Sequence, residues 1–343
     1  MRVAVDARAL RTGRGVARWV RGVLGALADA HAEDEWVAVV PGRAPVAPVH
    51  PRVRVVHTAL PSRALHGAAA VARRPRVAAL AGGADVVWLP APAPVAPGAP
   101  YVLSVHDRSW EQRPEDFTRY ERAWHALARP RALARNAAAV TAVTHAVARD
   151  LRSTWRVDAH VVSPGVASAD GVVPRQGRYL LWVGALEPRK APDVLAEAYA
   201  RARSRGLDAE LVVVGAGREA LDSPGVVRVG AVDDHELAGL YAGALALVAP
   251  SRLEGFGLGP LEAGVHGTPS IVSDLDVFDE TLGQAALRVG RDDPEALARA
   301  LLRIAGDAPL RARLGTAARE RAAAYSWERS ARALHDLLAQ AAR

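Results

Sequence analysis

Tyr179-Leu180-Leu181-Trp182-Val183-Gly184-Ala185-Leu186-Glu187-Pro188-Arg189-Lys190 reads as five apolar residues, a glycine, and a short turn that carries two cations. An unbroken apolar run of that length, closed by turn residues, is how a strand buried on both faces of a parallel sheet is written. Helical spacing follows over Pro192–Arg205, so the segment is one strand–turn–helix unit.

The same alternation extends in both directions and predicts an α/β chain. Upstream, strands are expected at Arg2–Asp6, Trp36–Val40, Val53–His57, Asp85–Leu89, Tyr101–His106, Ala139–Val143 and His160–Val162. Helical patterns lie at Gly15–Ala32, Ser62–Leu80, Thr118–Ala137 and Ala146–Thr154, with Pro75 and Pro130 expected to break two of them. Downstream, strands are expected at Ala209–Val214, Val226–Val229, Ala244–Ala249 and Ser270–Val272, with helices such as Asp233–Tyr241 between them. Three helices close the chain, Asp293–Ile304, Ala308–Tyr325 and Trp327–Ala342, the last capped by Ser326 with Glu328 in its first turn. The stretch Pro164–Gly177 has no periodicity and is rich in Pro and Gly, which makes it the connector. A chain of 343 residues divides comfortably into two cores there.

Half of the residues are apolar and 24% are charged, an ordinary globular balance that argues against a disordered chain. With no cysteine, disulfides, thiolate nucleophiles and Cys-bound zinc are excluded. No window approaches the length of a membrane-spanning helix, so a cytoplasmic chain is expected. Residues 1–166 hold 23 Arg against 13 acids, whereas 167–343 hold 21 Arg or Lys against 24. The basic first half suits a phosphorylated or membrane-surface partner, which would place the chain peripherally on the inner membrane face, or it reflects a general use of Arg; no nucleic-acid partner is expected. Within it, Arg119–Arg135 carries Trp124, Leu127 and Leu133 and is expected to pack on the first sheet, with an anionic membrane as the alternative. Lys190 is the single lysine of the chain, which points to a need for a compact point charge at that turn.

Four pieces carry candidate chemistry. Glu254-Gly255-Phe256-Gly257-Leu258-Gly259-Pro260-Leu261-Glu262 follows an apolar strand, so backbone N–H groups at the start of the next helix can hold an anionic oxygen. Its two glutamates, eight residues apart, can accept from two sets of hydroxyls or simply be solvated acids on a capped helix. Gly184 through Lys190 places Arg189 and Lys190 beyond a strand's carboxyl end, where a diphosphate is the natural ligand and an exposed basic turn the alternative. His106, in Val105-His106-Asp107, can bond a substrate hydroxyl or a neighbouring carbonyl. Gly13-Arg14-Gly15, within Thr12–Val16, is the fourth candidate, a Gly-containing turn expected after the first strand, with a plain tight βα turn as the alternative. One Asp-x-Asp, Asp274-Leu275-Asp276, could hold a divalent ion, but cations already suit the phosphates and no metal site is expected.

Together with Val5-Asp6-Ala7-Arg8 and Gly267-Thr268-Pro269, these pieces resemble family 4 of the retaining glycosyltransferases, across most of the chain. The resemblance implies the GT-B fold, two Rossmann-like domains facing a central cleft. An N-terminal acceptor domain would span 1–166, a nucleotide-sugar donor domain 167–326, and a C-terminal helix, 327–343, would return to the first domain. It implies metal-independent transfer, with retention, of a hexosyl group such as mannosyl to an unidentified acceptor. The donor would be GDP-mannose or a UDP-sugar, and no cofactor is expected. Lys190, helped by Arg189, would neutralise the donor diphosphate. Glu254 would meet the transferred sugar, Glu262 the ribose, and Gly184 with the backbone near Phe256, Gly257 and Leu258 would help hold the donor. His106 would line the sugar from the other domain, and Gly13, Arg14 and Gly15 would border the acceptor. Ala185 stands where many members carry the helping Arg, which leaves that part to Arg189. A nucleotide-sugar epimerase or NAD enzyme would need a G-x-G-x-x-G turn, and the first strand is followed only by Gly13 and Gly15. A non-catalytic sugar-nucleotide-binding or scaffold protein of the same fold is the other alternative.

Overall fold

Val, Leu and Ala fill the short runs that become strands, and those strands form two wholly parallel sheets. The computed structural model describes residues 1–12, 15–167 and 171–343; of the expected connector, 168–170 lie outside it. The first sheet comprises β1 (Arg2–Asp6), β2 (Glu35–Val40), β3 (Val53–His57), β4 (Val86–Leu89), β5 (Tyr101–Val105), β6 (Ala139–Ala142) and β7 (His160–Val161), in the order β3-β2-β1-β4-β5-β6-β7. The second comprises β8 (Tyr179–Val183), β9 (Glu210–Val214), β10 (Val226–Gly230), β11 (Ala246–Ala249), β12 (Ser270–Ser273) and β13 (Ala286–Val289), in the order β10-β9-β8-β11-β12-β13. In each, the chain adds strands to one side and then crosses back, between β1 and β4 and between β8 and β11. Open α/β sheets bind ligands beyond the carboxyl ends of the strands at such a reversal. β13 carries no expectation from sequence, because an edge strand of four residues interrupted by Arg288 has no continuous apolar run.

The sheets belong to two units, Met1–Gly165 with Ser326–Arg343 (unit 1) and Val166–Tyr325 (unit 2). Both prolines break helices as expected. Ser62–Ala72 and Val77–Leu80 are separate around Pro75, and Arg119–Ala128 ends at Arg129 (φ 46°) before Pro130 opens Pro130–Arg135. Pro fits the first position of a helix, where its missing N–H has no intrahelical partner anyway. On Arg119–Ala128, Trp124 packs edge-on against His66 at 4.7 Å, while Leu127 is 53% exposed.

The C-terminal helix Trp327–Ala341 starts at Ser326, whose hydroxyl accepts from the Arg329 N–H at 3.3 Å. Its apolar face (Ala331, Leu334, Leu337, Leu338) joins Val20, Val23, Leu24 and Leu27 of helix Gly15–Ala30 in the core of unit 1. Burying each leucine is worth about 1.5–3 kcal/mol over exposure, so three of them hold the returning segment in unit 1. Where the chain leaves unit 1, a Cβ on Gly165 would lie 2.2 Å from the Trp327 backbone nitrogen. Only glycine lets exit and re-entry lie side by side, and the Ser330 hydroxyl ties them by donating to the Ser163 carbonyl at 2.5 Å.

Candidate functional site

Unit 2 concentrates its polar chemistry where β8 and β11, the strands that flank its reversal, run out. After β8 the backbone turns against the segment that follows β9. A Cβ on Gly215 would sit 1.9 Å from the Gly184 carbonyl oxygen, and one on Gly217 2.2 Å from that of Leu186. Gly215 also has φ +120°, a region that side chains avoid. This backbone-to-backbone approach places the 3₁₀ turn Pro188–Lys190. Sequence reasoning passed over Gly215 and Gly217, although a Gly-x-Gly directly after an apolar run was the available signal.

After β11, the loop carries Ser251, Arg252 and Glu254 back to that turn. The Lys190 ammonium donates to Glu254 Oε1, and the Ser251 hydroxyl donates to the same oxygen at 2.7 Å. The lysine side chain is 20% exposed and the glutamate 10%. Burial alone would push the Glu254 carboxyl up; the charges of Lys190 and Arg189, with the hydrogen bonds from Lys190 and Ser251, outweigh it and hold the group below its ordinary value. Arg189 itself pairs with Glu187 at 3.2 Å. The turn therefore presents two cations whose charges both act on the Glu254 carboxylate.

Arg252 locks the two segments. Its backbone N–H donates to the Arg189 carbonyl at 2.8 Å, and its guanidinium reaches Asp193 at 3.0 and 2.6 Å, Asp292 at 2.5 Å and the Pro188 carbonyl at 2.7 Å. Nothing in the sequence singles it out, because its acidic partners are 59 and 40 residues away.

Gly257 opens the helix Leu258–Val265 with φ +84°, and a Cβ there would meet the Phe278 ring at 2.4 Å. Among the described residues no side chain caps this helix, which leaves its first N–H groups for another acceptor. Phe256 is buried edge-on against Tyr325 at 5.4 Å. Glu262, one turn into the helix, accepts from the Tyr241 hydroxyl at 2.9 Å. The two glutamates thus hang on different partners, one on the cationic turn and one on a phenol.

In unit 1, His106 follows β5. Its Nε2–H donates to the Pro90 carbonyl at 2.8 Å, its ring meets Trp19 edge-on at 5.9 Å, and burial lowers its pKa, so the ring is neutral near pH 7. The carbonyl bond fixes the tautomer and leaves Nδ1 carrying the lone pair. Gly13 and Arg14 lie outside the described residues; Gly15 is the first residue of its helix. Asp274 and Asp276 are exposed, and Asp274 pairs with Arg288 at 3.4 Å. Among the described residues, His31, Glu33, Asp34 and His335 in unit 1 also bring possible metal-ligating atoms together. The two imidazoles stack face to face at 3.4 Å and 1°, so their in-plane lone pairs run parallel and do not converge on one ion.

The Glu254 carboxylate makes the stability of the fold depend on pH. A carboxyl held below its unfolded value adds stability that is present above that value, about 4.5, and is lost as pH falls through the folded value. Wild type should therefore be more stable than Glu254→Gln at pH 7, and the gap should close in acid. Urea midpoints of both chains at about pH 7 and pH 3.5 check this; a gap independent of pH would remove the lysine pairing as its source.

Residues 177–307 match the family described as Glycosyl transferases group 1, and residues 13–169 match Glycosyltransferase Family 4. The phosphatidyl-myo-inositol mannosyltransferase of Mycolicibacterium smegmatis is 35% identical over 202 residues, 52% of this chain and 52% of that protein. The D-inositol 3-phosphate glycosyltransferase of Saccharomonospora viridis is 36% identical over 194 residues, 49% of this chain and 44% of that protein. The chain thus spans about half the length of the curated relatives it matches. Among solved structures, sucrose-phosphate synthase from Thermosynechococcus elongatus is similar with a TM-score of 0.75 at 20% identity, over 99% of this chain and 98% of that one. Anabaena HepE, solved in complex with UDP and glucose, gives a TM-score of 0.71 at 17% identity, over 98% and 99%. Two parallel Rossmann-like sheets of the GT-B type, with family matches across both, place this chain in glycosyltransferase family 4, glycosyl transferases group 1.

Proposed function

We propose that the chain transfers a hexosyl group from a nucleoside-diphosphate sugar to a glycosyl acceptor with retention of anomeric configuration. One observation carries this reading: the only lysine of the chain sits on a glutamate that is 10% exposed, at the reversal of the unit 2 sheet, and the same loop leads to a helix start that no described side chain caps. In the reaction the bond from the anomeric carbon to the phosphate oxygen breaks, and the electron pair leaves with the nucleoside diphosphate. Fixed cations aimed at that oxygen lower the barrier without reorganising. Lys190 and Arg189 take this part, so no divalent ion is needed. The acceptor oxygen bonds to the anomeric carbon on the same face, and its proton passes to the departing phosphate, which spares the protein a nucleophile.

Glu254 then positions the sugar while holding the ammonium in place, and Glu262 accepts from the ribose. The uncapped N–H groups near Gly257 and Leu258 hold phosphate, with Gly184 and Phe256 shaping the backbone around them. His106, neutral, offers Nδ1 to a sugar hydroxyl from unit 1, and Gly13, Arg14 and Gly15 border the acceptor. Mannosyl transfer from GDP-mannose leads, because one relative is named a mannosyltransferase; a UDP-sugar follows, because a structural neighbour was solved with UDP. Inositol phosphates and their lipids head the acceptors, since the relatives' names carry them.

A thermal-shift panel of nucleotide sugars tests the donor. A ligand at about a hundredfold excess over Kd stabilises by roughly 2.7 kcal/mol, a shift of several degrees. Release of nucleoside diphosphate with the inositol acceptors then tests transfer. No shift with any nucleotide sugar would overturn the reading, and binding without turnover across a broad acceptor panel would favour the non-catalytic alternative.

A further inference from the structure

Helices Arg119–Ala128 and Pro130–Arg135 of unit 1 meet at an angle set by the left-handed Arg129, and a cavity of about 680 Å³ opens beside them. Trp110 and His125, stacked 4.4 Å apart at 6°, contribute to its lining. Four arginines line it too: Arg122, Arg129, Arg131 and Arg135. Arg135 is spent on the Trp155 carbonyl at 3.0 Å. The other three are exposed, and none makes an ion pair or side-chain hydrogen bond among the described residues.

Nearby carboxylates do not answer them. Glu111, the acid in the lining, pairs with Arg108 and accepts from the Trp155 indole at 3.0 Å. Glu121 closes the capping box with Thr118 at 2.8 Å, and Asp116 pairs with Arg113 at 2.6 Å. Three like charges around one concave surface repel each other, and with Glu111, Glu121 and Asp116 already engaged that repulsion stays in place. A multiply charged oxyanion relieves it, because guanidinium forks match phosphate oxygens in pairs. The flat apolar floor formed by Trp110 and His125 excludes water beneath such a ligand and strengthens each contact. Burial lowers the His125 pKa, so the floor adds no charge of its own near neutrality.

We propose that this groove is a second anion site, distinct from the cationic turn of unit 2, and that it binds the phosphate of a phosphate ester through Arg122, Arg129 and Arg131. The ester is either free in solution or the headgroup of a lipid at a membrane surface.

The test uses the full chain with two probes, glycerol 3-phosphate by calorimetry and phosphatidylcholine vesicles with and without phosphatidylglycerol by co-sedimentation. The variant is Arg122→Gln with Arg131→Gln, both exposed helix positions that glutamine fills without strain. Arg313→Gln with Arg332→Gln, also exposed, serves as the charge-matched control, and Lys190→Ala reports on the unit 2 site. Losing two charge-assisted contacts is expected to weaken binding by about tenfold or more, while the control and the Lys190 variant bind as wild type does. Loss seen with glycerol 3-phosphate assigns a soluble ester; loss seen only with phosphatidylglycerol vesicles assigns the lipid. No binding of either probe, equal weakening in the control pair, or loss only in Lys190→Ala would overturn the proposal.

Discussion

Lys190→Ala is expected to cut turnover by about 10² to 10³ while the fold persists, the scale seen when one fixed donor to a developing oxyanion is removed. Its ammonium is held by Glu254, which accepts from Ser251 as well. The glutamate thus sets where the positive charge stands. Because negative charge on the leaving phosphate grows toward the transition state, kcat and kcat/KM should fall together, with little change in donor affinity. Stability should fall as well, since Glu254 keeps only Ser251 and the field of Arg189. The residues are 20% and 10% exposed, so about 1–3 kcal/mol is the expected scale. Lys190→Arg should recover only part of the rate, because a planar fork cannot occupy the place of a compact ammonium against one carboxylate oxygen. Steady-state release of nucleoside diphosphate, with circular dichroism as the control for folding, measures all of this. Unchanged turnover in Lys190→Ala would end the case for that residue.

The lysine and the glutamate pair were legible because their signals are local. A lone Lys after a strand-end glycine and a Gly-rich run between two acids stand out within about a dozen residues each. Most strands were legible for a similar reason, since a strand covered on both faces becomes a short apolar run. β13 was not, because its half-buried edge position tolerates Arg288 at its centre. Arg135 and Trp155 show the other limit. Nothing in the sequence joins the two, yet the arginine donates to the tryptophan's carbonyl across 20 positions. The close approach of Gly215 and Gly217 to the turn after β8 depends on the strand order, which composition does not encode. Contacts set by topology stay invisible until the sheet is assembled.

Arg252 is the sharpest instance of such a contact, and its removal is the second large effect expected. Four of its bonds end on the segment Pro188–Asp193, which carries Arg189 and Lys190, and one ends on Asp292. Bonding to Asp193 and Asp292 holds its charge more firmly than usual, with burial opposing. Glu254 lies two residues further along the same loop, so the guanidinium fixes the register between the acid and its lysine. Arg252→Met keeps an apolar stem of similar reach and discards the fork. Misplacing reacting groups by about 1 Å can cost on the order of 10²-fold, so kcat/KM should drop between roughly ten- and a hundredfold. Arg252→Lys should restore little, because one ammonium cannot engage both Asp193 oxygens and the Pro188 carbonyl together. A bystander that merely stabilises unit 2 would lower the melting temperature and leave the kinetics additive. A positioning residue behaves differently: once Lys190 is gone, there is little left to position. The cycle of Arg252→Met with Lys190→Ala should therefore show a coupling of at least about 1 kcal/mol in the activation free energy. Strict additivity would mean that Arg252 acts apart from the lysine, and the positioning role would fall.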